Sequence, residues 1–149
     1  MIKRFLLNSA SSLFVILTLA NCASVPMASS ENDVAAKKFE VPANKSRIYV
    51  FRNETLGSAL KFTLALDGKI AGQTAADVYY FWDVEPGKHE VACLGDSNVN
   101  ISVNTKAGTS TFVWQEVKMG FWVGQCALHE VNKEEGKAAV RSCKLGFQN

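Results

Sequence analysis

From Ser46 to Val131 the apolar residues fall in short runs, many of them alternating, separated by turn-forming residues. An alternation of period two is the mark of half-buried strands, and repeated short runs of this kind argue for an antiparallel sandwich. Leu60, Phe62, Leu64 and Leu66 alternate with Lys61, Thr63 and Ala65, which describes a strand with one wet face. Asp67-Gly68 follows at once as a type I′ hairpin signal, and Lys69–Gln73 is the returning partner. Val99, Ile101 and Val103 alternate in the same way with Asn98, Asn100, Ser102 and Asn104.

Two runs depart from this pattern. Arg47–Arg52 and Val78–Val84 are apolar on most of both faces, and the second carries Tyr79, Tyr80, Phe81 and Trp82 in succession. Both faces of such a strand need burial or contact, so Tyr79, Tyr80 and Trp82 are candidates either for the core or for a partner-contacting sheet face. Glu85-Pro86-Gly87-Lys88 fits a type II turn, with Pro presetting φ and Gly taking the positive φ. His89–Leu94, Thr109–Val117 and Gln125–Val131 read as the remaining strands. Between the last two, the loop Lys118–Gly124 holds Met119, Phe121 and Trp122, which either cap the sandwich end or face outward as partner anchors. Asn132-Lys133-Glu134-Glu135 resembles a capped helix start, and the helix continues towards Ser142 although Gly136 costs about 1 kcal/mol in a helix interior.

The N-terminal part has a different character. Lys3 and Arg4 precede an uncharged, largely apolar stretch from Phe5 to Ala20, and Leu19-Ala20-Asn21-Cys22 follows. A basic segment leading into an apolar one is the secretory pattern, and the stretch is too short and too broken by Ser11, Ser12 and Thr18 for a spanning helix. Leu19 and Ala20 fit a lipobox, so residues 1–21 read as a lipoprotein signal peptide and Cys22 as the lipidated first residue of the mature chain. The competing cleavage by the general signal peptidase fits less well, because Asn21 or Pro26 would fall where a small residue is wanted. Residues 22–44, rich in Ala, Ser and charge, read as a flexible tether spanning about 25 Å with a short helical turn near Val34–Lys38, the alternative being an N-terminal strand or helix docked on the domain. Residues 45–149 form the folded domain. Without Lys3 and Arg4 the mature chain carries 14 basic and 14 acidic side chains, so its charge offers no basis for binding nucleic acid.

Particular segments carry a family resemblance. Arg47-Ile48-Tyr49-Val50-Phe51-Arg52-Asn53, Leu66-Asp67-Gly68-Lys69 and Val84-Glu85-Pro86-Gly87-Lys88-His89 occur in order, followed by Trp114–Gly120 and Cys143-Lys144-Leu145. In these segments, over about residues 40–146, the chain resembles bacterial lipoproteins of the DUF2846 family, a domain of unknown function. The lipobox and the following Ser24-Val25-Pro26-Met27 belong to the same resemblance. It implies a small β-sandwich on an envelope lipoprotein and carries no catalytic residue. The expected fold class is therefore all-β: a small antiparallel β-sandwich (prealbumin/Ig-like) with a short C-terminal helix, preceded by signal peptide and flexible tether.

Cysteine arithmetic leaves Cys93, Cys126 and Cys143 after lipidation of Cys22. An exported compartment permits a disulfide. Cys143 belongs to the family-like ending, so Cys93 and Cys126 are the candidate pair, closing a loop of about 34 residues worth roughly 3–4 kcal/mol. Another pairing, or none, stays open at this level. His89 and Cys93 lie too far apart along one strand, and Cys126 and His129 point to opposite faces, so neither pair makes a nucleophile and base. The spacing of His and Cys offers no metal site, and no glycine loop suited to a phosphate is present, so no cofactor is expected.

The functional expectation is a non-enzymatic, membrane-anchored envelope lipoprotein. Its partners would be the membrane, through lipid on Cys22, and an envelope protein or glycan; the alternative is a lipid-anchored inhibitor or immunity factor. Ala23, in place of the Asp that retains lipoproteins at an inner membrane, points to the outer membrane facing the periplasm.

Overall fold

The computed structural model describes residues 24–120 and 124–148; the segment expected as signal peptide, Cys22, Phe121 and Trp122 lie outside them. A short helix α1 (Ser30–Ala36) precedes eight strands: β1 (Ser46–Arg52), β2 (Phe62–Leu66), β3 (Lys69–Thr74), β4 (Val78–Val84), β5 (Gly87–Leu94), β6 (Val99–Thr105), β7 (Ser110–Met119) and β8 (Gly124–Val131). Helix α2 (Lys133–Ser142) and a two-residue strand β9 (Lys144–Leu145) complete the chain. The strands form two sheets, one ordered β8-β7-β1-β4-β9 and the other β3-β2-β5-β6.

The fold is the expected all-β sandwich, mostly antiparallel but with two parallel pairings, β1 with β7 and β4 with β9. The Asp67-Gly68 hairpin forms between Leu66 and Lys69, both turn residues at positive φ (49° and 76°), as a type I′ turn requires. The segment Glu85–Lys88 does not join paired strands. Here the chain passes from the first sheet, which holds β4, to the second, which holds β5, and Gly87 takes φ 147° at that corner. Asn132 caps α2 by accepting from the Glu135 backbone N–H at 2.9 Å.

The unusual apolarity of β1 and β4 is explained by a third layer. Ile48 and Val50 of β1, with Val78 and Tyr80 of β4, face the second sheet and meet Leu64, Val91 and Val103 in the main core. Tyr49, Phe51 and Tyr79 point the other way, where α2 and the N-terminal segment cover them with Ala36, Ala139, Val140 and Leu145. Tyr49 stacks on Phe112 of β7 at 5.0 Å between ring centroids.

Residues 24–44 are docked, which corrects the expectation of a flexible tether. Asp33 on α1 is the peg. Its Oδ1 accepts from the Tyr79 hydroxyl at 3.0 Å and from the Leu145 backbone N–H at 2.9 Å, and its Oδ2 accepts from Lys37 Nζ at 2.7 Å. Burial works against this carboxylate, but its donors outweigh that and hold its pKa below the usual aspartate value. The Tyr49 hydroxyl donates to the Ala36 carbonyl at 2.9 Å, closing the end of the helix. Upstream, Val25 is buried, the Ala28 N–H donates to Leu145, and the Phe147 N–H donates to Pro26. No local periodicity signals these contacts, since Asp33 and Leu145 are 112 residues apart.

The mid-helix glycine also acquires a reason. A Cβ on Gly136 would lie 2.2 Å from Phe112 Cγ, so α2 approaches β7 as closely as it does because this residue has no side chain. Gly136→Ala is expected to destabilise the protein by about 1–3 kcal/mol through overpacking, overriding the roughly 1 kcal/mol gain in helix propensity; a denaturant titration reads the sign.

Candidate functional site

One end of the sandwich lies where β1, β7 and the loop between β1 and β2 converge. The loop residues 53–61 are organised by Arg52, whose side chain is fully buried at the end of β1. Its guanidinium donates to the carbonyls of Leu60 (2.8 Å), Leu56 (3.0 Å) and Gly57 (2.6 Å). Burial lowers its pKa, opposed by the negative charges of Glu54 and Asp77, and no carboxylate pairs with it among the described residues. Three convergent carbonyls thus take the place of a counter-ion, each bond to the charged group worth about 1.5–3 kcal/mol. Glu54 adds a second tie by accepting from the Val117 backbone N–H.

The clamped loop, with β2, β7 and the turn after β5, frames a cleft of about 620 Å³. Leu56, Leu60, Phe62 and Met119 supply an apolar lining, and Lys61 and Asp96 add one charge of each sign at its margin. Leu56 is 50% exposed and Met119 66%, so the lining remains open to a partner. Met119 is thus exposed at the cleft. Arg52 and Leu56 were not singled out from sequence; an arginine ending an otherwise apolar strand was the available signal.

The other proposed contact face is corrected. Tyr79 is fully buried and Tyr80 is 2% exposed, one in each core, because β4 is covered on both sides. Trp82 is half-buried and stacks on Tyr80 at 6.1 Å, leaving only one edge beside a surface groove. Tyr79 and Tyr80 are therefore core residues, while Trp82 keeps an edge at the surface.

Cys93 of β5 and Cys126 of β8 form a disulfide that links the two sheets, with Cα atoms 6.5 Å apart. Gln115 of β7, fully buried, donates from Nε2 to both sulfurs at 3.3 Å. The remaining thiol, Cys143, is buried, and burial pushes its pKa up to about 12, which keeps it protonated and unreactive. Neither histidine is paired with a cysteine. His129 Nε2 lies 2.8 Å from Glu116, and His89 places Nδ1 2.7 Å from Asp67 and Nε2 2.7 Å from the Glu85 carbonyl. Among the described residues no group of three or more His, Cys, Asp or Glu side chains is arranged to hold a metal ion, and no helix is long and apolar enough to cross a membrane.

Fold and cysteines together define a small β-sandwich whose sheets are joined by a disulfide. The chain belongs to the family described as "Protein of unknown function (DUF2846)", whose model matches residues 42–126. That stretch runs from the start of the domain through the second disulfide cysteine and leaves both helices outside. An uncharacterized protein of Haemophilus influenzae is 37% identical over 142 residues, covering 94% of this chain and 84% of the relative. No solved structure matches.

Two measurements probe the polar ties. Arg52→Ala removes the donor to three carbonyls and is expected to cost about 3 kcal/mol, with amide exchange across residues 53–61 accelerating more than exchange in β5 or β6. At His89 partial burial disfavours the charged ring, but Asp67 and the Glu85 carbonyl outweigh it and raise the pKa above its usual value. Because the folded value lies above the unfolded one, the imidazolium favours folding; its contribution is complete below about pH 6.5 and is lost as pH rises through the folded pKa. Melting temperature is expected to fall across that range in the wild type and to fall less in Asp67→Asn.

Proposed function

We propose that this protein is a lipid-anchored, non-enzymatic binding module of the cell envelope that takes a protein or glycan partner in the cleft beside Met119. The cleft itself carries the reading: it is apolar and open, and its floor is fixed by the buried Arg52 clamp, so little ordering is required when a partner binds. The Cys93–Cys126 disulfide suits an oxidising compartment, which supports export and hence the Cys22 lipoprotein reading. Engagement of both histidines by acceptors and the protonated Cys143 thiol support a binding role over a catalytic one. Outer-membrane attachment facing the periplasm follows from Ala23 after the lipidated cysteine.

A lipid-anchored inhibitor is the second reading, favoured by the exposure of Met119 at the tip of β7, where a contact loop would begin. A photo-crosslinking residue placed at Leu56 or Met119 in intact cells is expected to trap a discrete partner that the same residue at Asn100, on β6, does not. Trapping an enzyme whose turnover the purified protein suppresses would select the inhibitor reading. Identical crosslinking patterns from the cleft and from Asn100 would remove the cleft as the binding site.

A further inference from the structure

We propose that the edge of the sandwich formed by β3 and β9 lies against the bilayer, with the lipid surface occupying the apolar groove between Ile70, Trp82 and Phe147. The inference rests on the lipidation of Cys22 and adds to it an orientation. The chain enters the fold at this edge: Val25 is buried, Met27 bridges to Gly146, and the Pro26 carbonyl accepts from the Phe147 N–H at 2.8 Å. Cys22 precedes Val25 by three residues, and three residues of chain reach no further than about 11 Å. A lipid on Cys22 therefore draws this edge, and no other part of the domain, to the headgroup region.

The surface found there has the chemistry a bilayer interface selects. Of the six large apolar side chains exposed among the described residues, Met27 (42% exposed), Phe147 (54%) and Ile70 (75%) belong to this edge, whereas Leu56 and Met119 line the cleft and Val34 lies on α1. Phe147 shares with Ile70 and Trp82 a groove of about 450 Å³, and the backbone of Met27 is bridged to Gly146 next to it. Lys69 lines that groove and no carboxylate does. Phenylalanine and isoleucine sink to the acyl boundary, tryptophan favours the interfacial level, and lysine extends its ammonium group back to the headgroups. The opposite edge, β6 with β8, shows no comparable surface: Asn100, Ser102 and Gln125 face solvent there.

The test uses the full-length lipidated protein in vesicles of phosphatidylethanolamine and phosphatidylglycerol. An environment-sensitive fluorophore is attached through Ile70→Cys or Phe147→Cys, and through Ser102→Cys on the opposite edge; the buried Cys143 and the disulfide leave the introduced thiol as the reactive one. The expected result is a blue-shifted emission, quenched several-fold more strongly by bromine-labelled acyl chains at positions 70 and 147 than at 102. Equal quenching at all three positions would overturn the orientation. In the unlabelled protein, amide protection at residues 69–72 and 146–148 should rise on vesicles relative to soluble Cys22→Ser protein, and unchanged protection would count against the proposal. Flotation separates the two layers of the argument. Wild-type protein that floats while Cys22→Ser does not, with no selective quenching, refutes the orientation alone; a Cys22→Ser protein that floats as the wild type does refutes the anchor and the orientation together. Labels at 70 and 147 that are exposed on vesicles but shielded in cells would assign the groove to a partner protein and overturn the lipid assignment.

Discussion

Burial of both faces of one sheet is the constraint from which the rest of the structure follows. β1 has six of its seven residues buried, and it pairs with β4 on one side and β7 on the other. A strand apolar on both faces is stable only between two layers, so the second sheet alone cannot complete the fold. The outer layer is assembled from both ends of the described chain, α1 from the start and α2 from the finish, with β9 completing the sheet they cover. Asp33 ties these ends together, linking α1 to β4 through Tyr79 and to β9 through Leu145. Close approach of α2 to Phe112 at Gly136 is the packing counterpart of the same requirement.

Two buried polar devices then shape the functional end. Arg52 carries its charge into the interior and engages three loop carbonyls through its two terminal nitrogens, which converts an irregular connection into a fixed rim. A pair of ions there would have cost two desolvations and would have left the loop carbonyls unserved. The disulfide lies between the sheets with Gln115 donating to both sulfurs, so the β5 and β8 sides of the sandwich are held together independently of hydrophobic contact. The cleft lies beyond the end of β1, whereas Trp82 and the groove beside it lie opposite Ile48, near that strand's beginning. The cleft and this groove therefore lie towards opposite ends of β1.

Legibility from sequence followed the reach of the interaction. β2 and β6 were readable because water on one face writes alternation into the residues. Asp67-Gly68 and the Asn132 cap were readable because their contacts span only a few residues. The Cys93–Cys126 pair emerged from composition and not from geometry. What escaped notice depends on distant partners. The docking of residues 24–44 requires Tyr79 and Leu145, and the role of Arg52 requires carbonyls that any sequence would supply. The aromatic run of β4 announced that both faces needed cover but not that helices would provide it, so Tyr79 and Tyr80 were open to misreading as a contact surface. In the same way Glu85-Pro86-Gly87 signalled a bend without revealing that the bend changes sheets.

The parallel pairing of β4 with β9 has a consequence for the order of assembly. β9 lies at the very end of the described chain, and it is the strand to which Pro26, Met27 and Ala28 attach. The backbone of Pro26, Met27 and Ala28 thus waits for the last strand before it has a partner. Until Lys144–Phe147 is available, Asp33 lacks the Leu145 N–H and the five-stranded sheet lacks its edge. A chain built this way joins its two ends only once β9 is in place.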